Sequence, residues 1–257
     1  METTTRTACA NCGTHLHGPV CHNCGQKHIR SRWTLGVLIE QFFSQLSNIE
    51  SGFIYTLRAL ISKPGELIQD YWRGKTKIYY NPFRFLIILV GFNLLLGFLI
   101  GIDDLMQATF QPEDLEAQMG TENVMEADMK FDSWLNVLVL LLLPVHAVSS
   151  RWLFGRHGKN YGEHLIANAY CMGQQAFLSS AFMLVAYVFP VLFIAFLPVN
   201  FFLGFVYNGY VFSQTFGEGK FSSFAKAFLQ GIIGLSVFFA LLLIFSFLAL
   251  FFTMQAT

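Results

Sequence analysis

From Leu35 onward the apolar positions recur at Leu35, Leu38, Ile39, Phe42, Phe43, Leu46 and Ile49, the spacing of one greasy face on a helix. A second run takes up the pattern at Phe53, Leu57, Leu60 and Ile61, breaks at Pro64, and resumes at Leu67, Ile68, Tyr71 and Trp72. Both runs are too interrupted to cross a bilayer, so residues 31–82 read as amphipathic juxtamembrane helices floating on the inner leaflet. Beyond residue 82 polar positions become rare, and successive windows approach the ~20 apolar residues that a membrane helix needs. Five spans are expected, at about 83–102, 134–150, 166–189, 191–212 and 228–253. Residues 165–216 are almost free of charge, and one helix of that length would exceed twice the ~30 Å hydrocarbon layer at ~1.5 Å per residue. Two spans are therefore required. Their break is placed at Phe189-Pro190, because the residue before a proline tends to leave the helix, and Pro198 is expected to kink the fourth span.

Composition fixes the class. Of 257 residues 54% are hydrophobic and 12% charged, with 29 Phe, against ~25% charged in an ordinary soluble domain. The expected fold is an all-α integral membrane protein with five transmembrane helices (83–257), preceded by the interfacial helices and a small amino-terminal zinc ribbon (1–30). The net charge of zero hides a segregation. Residues 103–132 carry nine acids and one base, net −8, and the rest of the chain 15 bases and 7 acids, net +8. Basic loops stay on the cytoplasmic side. This orients the amino terminus and loops 151–165 and 213–227 inside, and the acidic loop 103–133 and the carboxyl terminus outside.

No hydrophobic stretch follows Met1 within reach of a signal peptide, which leaves the first domain in a reducing compartment. There, Cys9-x2-Cys12 and Cys21-x2-Cys24 read as two thiolate turns that together make a tetrahedral Zn²⁺ site. Gly13 and Gly25 follow each second cysteine, where a knuckle turn needs positive φ. His15, His17 and His22 lie nearby, but the thiolate set is complete without them. A closed four-thiolate site has no open coordination position and is structural. With four bases against one acid, residues 1–33 are too weakly basic for nucleic acid. Docking of a cytoplasmic protein, or a self-contained cap, remains. Arg58, Lys63, Arg73, Lys75, Lys77 and Arg84 cluster with Tyr71, Trp72, Tyr79 and Tyr80, the mixture found at an anionic headgroup layer.

"CANCG", "VCHNCGQ" and "SGFIYTLRALISKPGELIQDYWRGKTKIYYNPFRFL" resemble a family of bacterial membrane proteins classed as a domain of unknown function, with the pattern CxNCG, CxxCGQ, GFxxTLxxLxxxPGxxIxxYxxGKxxxYxxP. "YGEHLI" at 161–166 is similar to a further signature of that family. The resemblance implies a bacterial inner membrane and a zinc ribbon, and no known activity.

Polar residues within the spans form stripes: His164, Asn168, Cys171, Gln175 and Ser179 in the third, Asn200, Gly204 and Asn208 in the fourth, Asn93, Gly97 and Gly101 in the first, and Gln230 and Gly234 in the fifth. Small and amide residues pack membrane helices together. Intramembrane polar groups also mark function, and His146, Glu163 and His164, all near one interface, form a candidate polar site together with Asn168 and Asn200. No HExxH, Walker, GxSxG or GxGxxG motif is present. Three functions follow: a non-enzymatic inner-membrane protein whose cytoplasmic zinc ribbon docks or organises a protein partner; a transporter or channel for a small molecule or lipid, with the third and fourth spans lining a cavity; or an intramembrane metalloenzyme using His146, Glu163 and His164. Sequence leaves the oligomeric state open.

Overall fold

The computed structural model describes residues 8–27, 33–38, 52–102 and 141–256. The acidic loop, residues 134–140 of the second expected span and most of the first amphipathic run lie outside them. Two short helices, α1 (Phe53–Ser62) and α2 (Pro64–Trp72), precede α3 (Pro82–Ile100), α4 (141–153), α5 (Tyr161–Val188), α6 (Phe196–Phe216) and α7 (Lys220–Ala256). Among the described residues three helices are long and apolar enough to cross a membrane: Pro82–Ile100, Tyr161–Val188 and, within α7, Lys220–Ile244. Their outward faces carry unpartnered apolar side chains, with Phe98 81% and Leu243 72% exposed.

Local chemistry sets the helix ends. Pro82 opens α3 while the Asn81 side chain accepts from the N–H groups of Phe83 and Arg84, and Gly101 closes it in the left-handed conformation. Gly101 thus caps the helix, and Gly97 packs, lying against Met183 of α5. α5 begins at Tyr161, earlier than expected, because Asn160 and Glu163 form a capping box: Asn160 Oδ1 accepts from the Glu163 N–H at 2.8 Å, and the Glu163 carboxylate from the Asn160 N–H at 2.7 Å. It ends at Val188, and Pro190 starts a 3-10 stretch, Pro190–Ala195. The kink expected at Pro198 does not form. α6 starts at Phe196, so Pro198 falls in its first turn, where a missing N–H removes no helical bond.

α1 and α2 do not float free. Leu60, Leu67, Ile68 and Phe85 are all but sealed from solvent, and α2 packs on α6 while α3 packs along α5. Side chains then satisfy the backbone groups that helix ends leave unpaired. Tyr207 and Tyr210 of α6 donate to the carbonyls at the end of α1, Tyr207 to Leu60 at 3.1 Å and Tyr210 to Ser62 at 3.2 Å. Gln69 of α2 returns a bond to the Thr215 carbonyl at the end of α6, at 2.8 Å. Trp33 stacks on Tyr71 and donates to its carbonyl, Trp72 donates to the Glu163 carbonyl, and Tyr170 donates to that of Tyr80. Residues 52–82 form a collar around one end of the bundle. Ile54, Tyr55 and Ile61 stay more than half exposed on its outer side.

The helices alternate in direction. α3 leaves the collar; α4 returns to it, with Phe154 stacked on Phe216 at the end of α6; α5 leaves, α6 returns and α7 leaves again. The loops after α4 and α6 meet at the collar end, where His157 Nε2 lies 2.9 Å from Glu218 Oε1 and Lys226 Nζ lies 2.6 Å from it. Burial alone would raise the Glu218 carboxyl, but hydrogen bonds from Lys226, His157 and Ser222 prevail and lower it to about 2.

Gly65 sits so close to α6 that a Cβ there would lie 2.5 Å from Gln214 Cβ and 2.6 Å from its backbone carbon. Gly65→Ala is expected to cost about 1–3 kcal/mol of stability and to lower the melting temperature in detergent. Gly155→Ala, with nothing within 4 Å of the added carbon, is expected to leave it unchanged.

Candidate functional site

The amino-terminal segment folds as two copies of one turn. In each, the glycine N–H donates to the first cysteine's carbonyl at 2.9 Å, Gly13 to Cys9 and Gly25 to Cys21, and both glycines adopt positive φ, 75° and 72°. Single antiparallel bridges, Ala8 with His15 and Val20 with Lys27, close the turns. The four sulfurs of Cys9, Cys12, Cys21 and Cys24 lie within 4.8 Å of one another and can hold a metal ion. Cys9 to Cys24 and Cys12 to Cys21 are each 3.6 Å, near the ~3.8 Å edge of a tetrahedron with ~2.3 Å metal–sulfur bonds. Bonding to Thr14, whose hydroxyl is 3.3 Å away, lowers the Cys12 thiol to about 6, while burial raises Cys9 to about 11. A cation at the centre favours the thiolate at both. His15, His17 and His22 gather on the exposed side, ring to ring at 5.2 and 5.7 Å, outside the sulfur cluster.

The ribbon is fastened to the collar by Gln26, the residue after the second turn and 3% exposed. Its Oε1 accepts from the N–H groups of Thr76 at 3.2 Å and Lys77 at 2.8 Å, and its Nε2 donates to Thr76 Oγ1 at 2.8 Å. The loop it grips is itself pinned by Asp70, which holds Lys75 at 2.8 Å and the Tyr79 hydroxyl at 3.2 Å. Burial, and next the Asp70 charge, raises the Tyr79 hydroxyl. Gln26 and Asp70 both lay in sequence segments with other assignments, and only the fold brings them to one loop.

Within the bundle the members of the expected trio take different partners, and Ser150, Asn168 and Gln230 form a hydrogen-bonded chain between His164 and His146, with Gln230 Nε2 3.4 Å from His146 Nδ1. Glu163 serves the capping box, and its carbonyl takes the Trp72 indole. His164 turns to α4, its Nδ1 3.0 Å from Ser150 Oγ, and stacks on Phe216. Asn168 donates to Ser150 Oγ at 2.8 Å, and Gln230 of α7 donates to Asn168 Oδ1 at 2.7 Å and to the His146 carbonyl at 3.1 Å. His146 fits because its partner is Gly234, where a Cβ would meet the ring at 2.6 Å. Among the described residues the four cysteines are the only group of three or more side chains placed to hold a metal.

A cavity of about 370 Å³ lies between α3, α4, α5 and α6. Asn93, His146, Gln175, Ser179 and Asn200 line it among apolar neighbours such as Leu94, Met172 and Phe196. The single stripe of α5 therefore serves three neighbours in turn: His164 and Asn168 face α4 and α7, Gln175 bonds Asn208 of α6 at 2.8 Å, and Ser179 opens on the cavity.

Residues 50–93 match the model of a family described as a protein of unknown function, DUF3667. The match spans the collar and the first half of α3, the elements that the ribbon, α5 and α6 all grip. No curated protein and no solved structure matches the chain.

Replacing all four cysteines by serine is expected to abolish metal retained through purification, read as metal per chain by elemental analysis. Metal persisting in that variant would place a second site in the bundle.

Proposed function

We propose that this is a non-enzymatic, multi-pass protein of a bacterial inner membrane that binds a small amphipathic molecule inside its helix bundle. The cavity carries the reading. It is of ligand-pocket size, mostly apolar, and provided with a few convergent polar groups. In this reading α3 to α7 are five spans, alternating in direction from the collar. The collar end faces the cytoplasm, which its bases Lys63, Arg73, Lys159 and Lys220 favour, and the acidic segment after α3 lies outside. Zn²⁺ closes the ribbon, whose role is to fasten the collar. The exposed side of α1, with Arg58 beside Ile54 and Ile61, rests on anionic headgroups.

A second reading, recruitment of a cytoplasmic protein, draws on the exposed histidine side of the ribbon, which the collar does not use. The same reading assigns no chemistry to His146, Glu163 and His164.

Native mass spectrometry of the protein extracted in mild detergent tests the binding reading. Wild type is expected to retain a lipid-sized adduct that Gly204→Leu, which fills the cavity, loses with its metal intact. The same adducts on both proteins would contradict it.

A further inference from the structure

We infer that the cavity's ligand is an uncharged amphiphile carrying hydroxyl groups, a long-chain alcohol or neutral glyceride in chemical class; this deepens the binding reading above and rests on it. The argument is one of donors and acceptors. Asn93 spends its Nδ2 hydrogens on the Ala176 carbonyl at 3.4 Å and Ser180 Oγ at 2.9 Å. Gln175 spends its Nε2 on Asn208 Oδ1 at 2.8 Å and the Gly204 carbonyl at 3.5 Å, and Asn200 its Nδ2 on the Phe196 carbonyl at 2.8 Å. A backbone carbonyl only accepts, so each amide's orientation is fixed by its partner. What remains of Asn93 and Gln175 is the carbonyl oxygen, and of Asn200 the carbonyl oxygen and one N–H, without a partner among the described residues, and all three side chains line the same space. Three acceptors, against one amide N–H of Asn200 and the Ser179 hydroxyl, call for a ligand that donates and can also accept, as a hydroxyl group does.

Charge narrows the class. Among the described lining residues none is Asp, Glu, Lys or Arg, so against these walls a carboxylate, phosphate or ammonium group would be desolvated without a counter-ion. A carboxylate would also face acceptors. Hydroxyl groups donate without charge, and the apolar wall of Leu94, Leu142, Met172 and Leu203 takes a hydrocarbon tail.

The test uses the metal-loaded full chain in nanodiscs and three photoreactive probes of one chain length, ending in hydroxyl, carboxylate or trimethylammonium. Saturable labelling by the alcohol is expected, competed by unlabelled alcohol, with both charged probes at least about tenfold weaker. Asn200→Leu removes one acceptor and no bond between helices, and should weaken alcohol labelling about three- to tenfold. Gly204→Leu should abolish it, with the melting temperature of each purified variant reporting that the bundle is folded. Labelling by a charged probe equal to the alcohol, or alcohol labelling unchanged in Asn200→Leu, overturns the ligand class and leaves the binding reading standing. Absence of saturable labelling by any probe, or labelling indifferent to Gly204→Leu, overturns both.

Discussion

A helix that stops inside an apolar surrounding, sealed from water, leaves carbonyl and N–H groups that hydrocarbon cannot bond. In this protein those groups are met by side chains from other helices, and the whole collar end depends on it. α1 and α2 are too short to hold their shape alone. Their ends are completed by Tyr207 and Tyr210 from α6 and by Trp33, and the end of α6 is completed in return by Gln69. Each such bond contributes about 1 kcal/mol where it forms, and leaving the same group bare in lipid costs more. Helix ends so interlocked form together or not at all.

The ribbon extends the same logic to a segment with almost no core of its own. Cys9 and Cys21 are buried, but the turns around them are small and held by few hydrogen bonds, so a metal held by the four sulfurs would supply folding free energy. Gln26 then fixes the loop at Thr76 and Lys77, Asp70 fixes the same loop from α2, and α2 packs on α6. α6 supplies Asn200 and Gly204 to the cavity. The cysteine cluster and the cavity are thus joined through a short chain of packed elements.

Much of this was legible in the sequence. Cysteine spacing marks the metal group because four soft ligands on two short turns have few other uses, and hydrophobic length marks α3, α5 and α7. The break at Pro190 follows from the geometry of the residue before proline. The remainder depends on neighbours that periodicity does not name. A helical wheel places His164, Asn168 and Gln175 on one face, but that face meets α4, α7 and α6 in turn. Glu163 beside His164 suggested a polar site, whereas Asn160 three residues earlier claims it for a cap. Pro198 looked like a kink because the start of α6 at Phe196 has no polar capping residue to announce it. Ser150 and Gln26, small and mid-motif, acquire their roles only when distant elements reach them.

Hydrogen exchange across residues 73–80, with metal bound and after chelation, tests most directly whether the metal-closed ribbon clamps the collar. Thr76 and Lys77, whose N–H groups bond to Gln26, should exchange much faster once the metal is removed, while Tyr80, whose N–H bonds to Thr56 at 2.8 Å, should keep its protection. Unchanged exchange at Thr76 and Lys77 on chelation would contradict the clamp, and an equal rise at Tyr80 would show the collar itself coming apart.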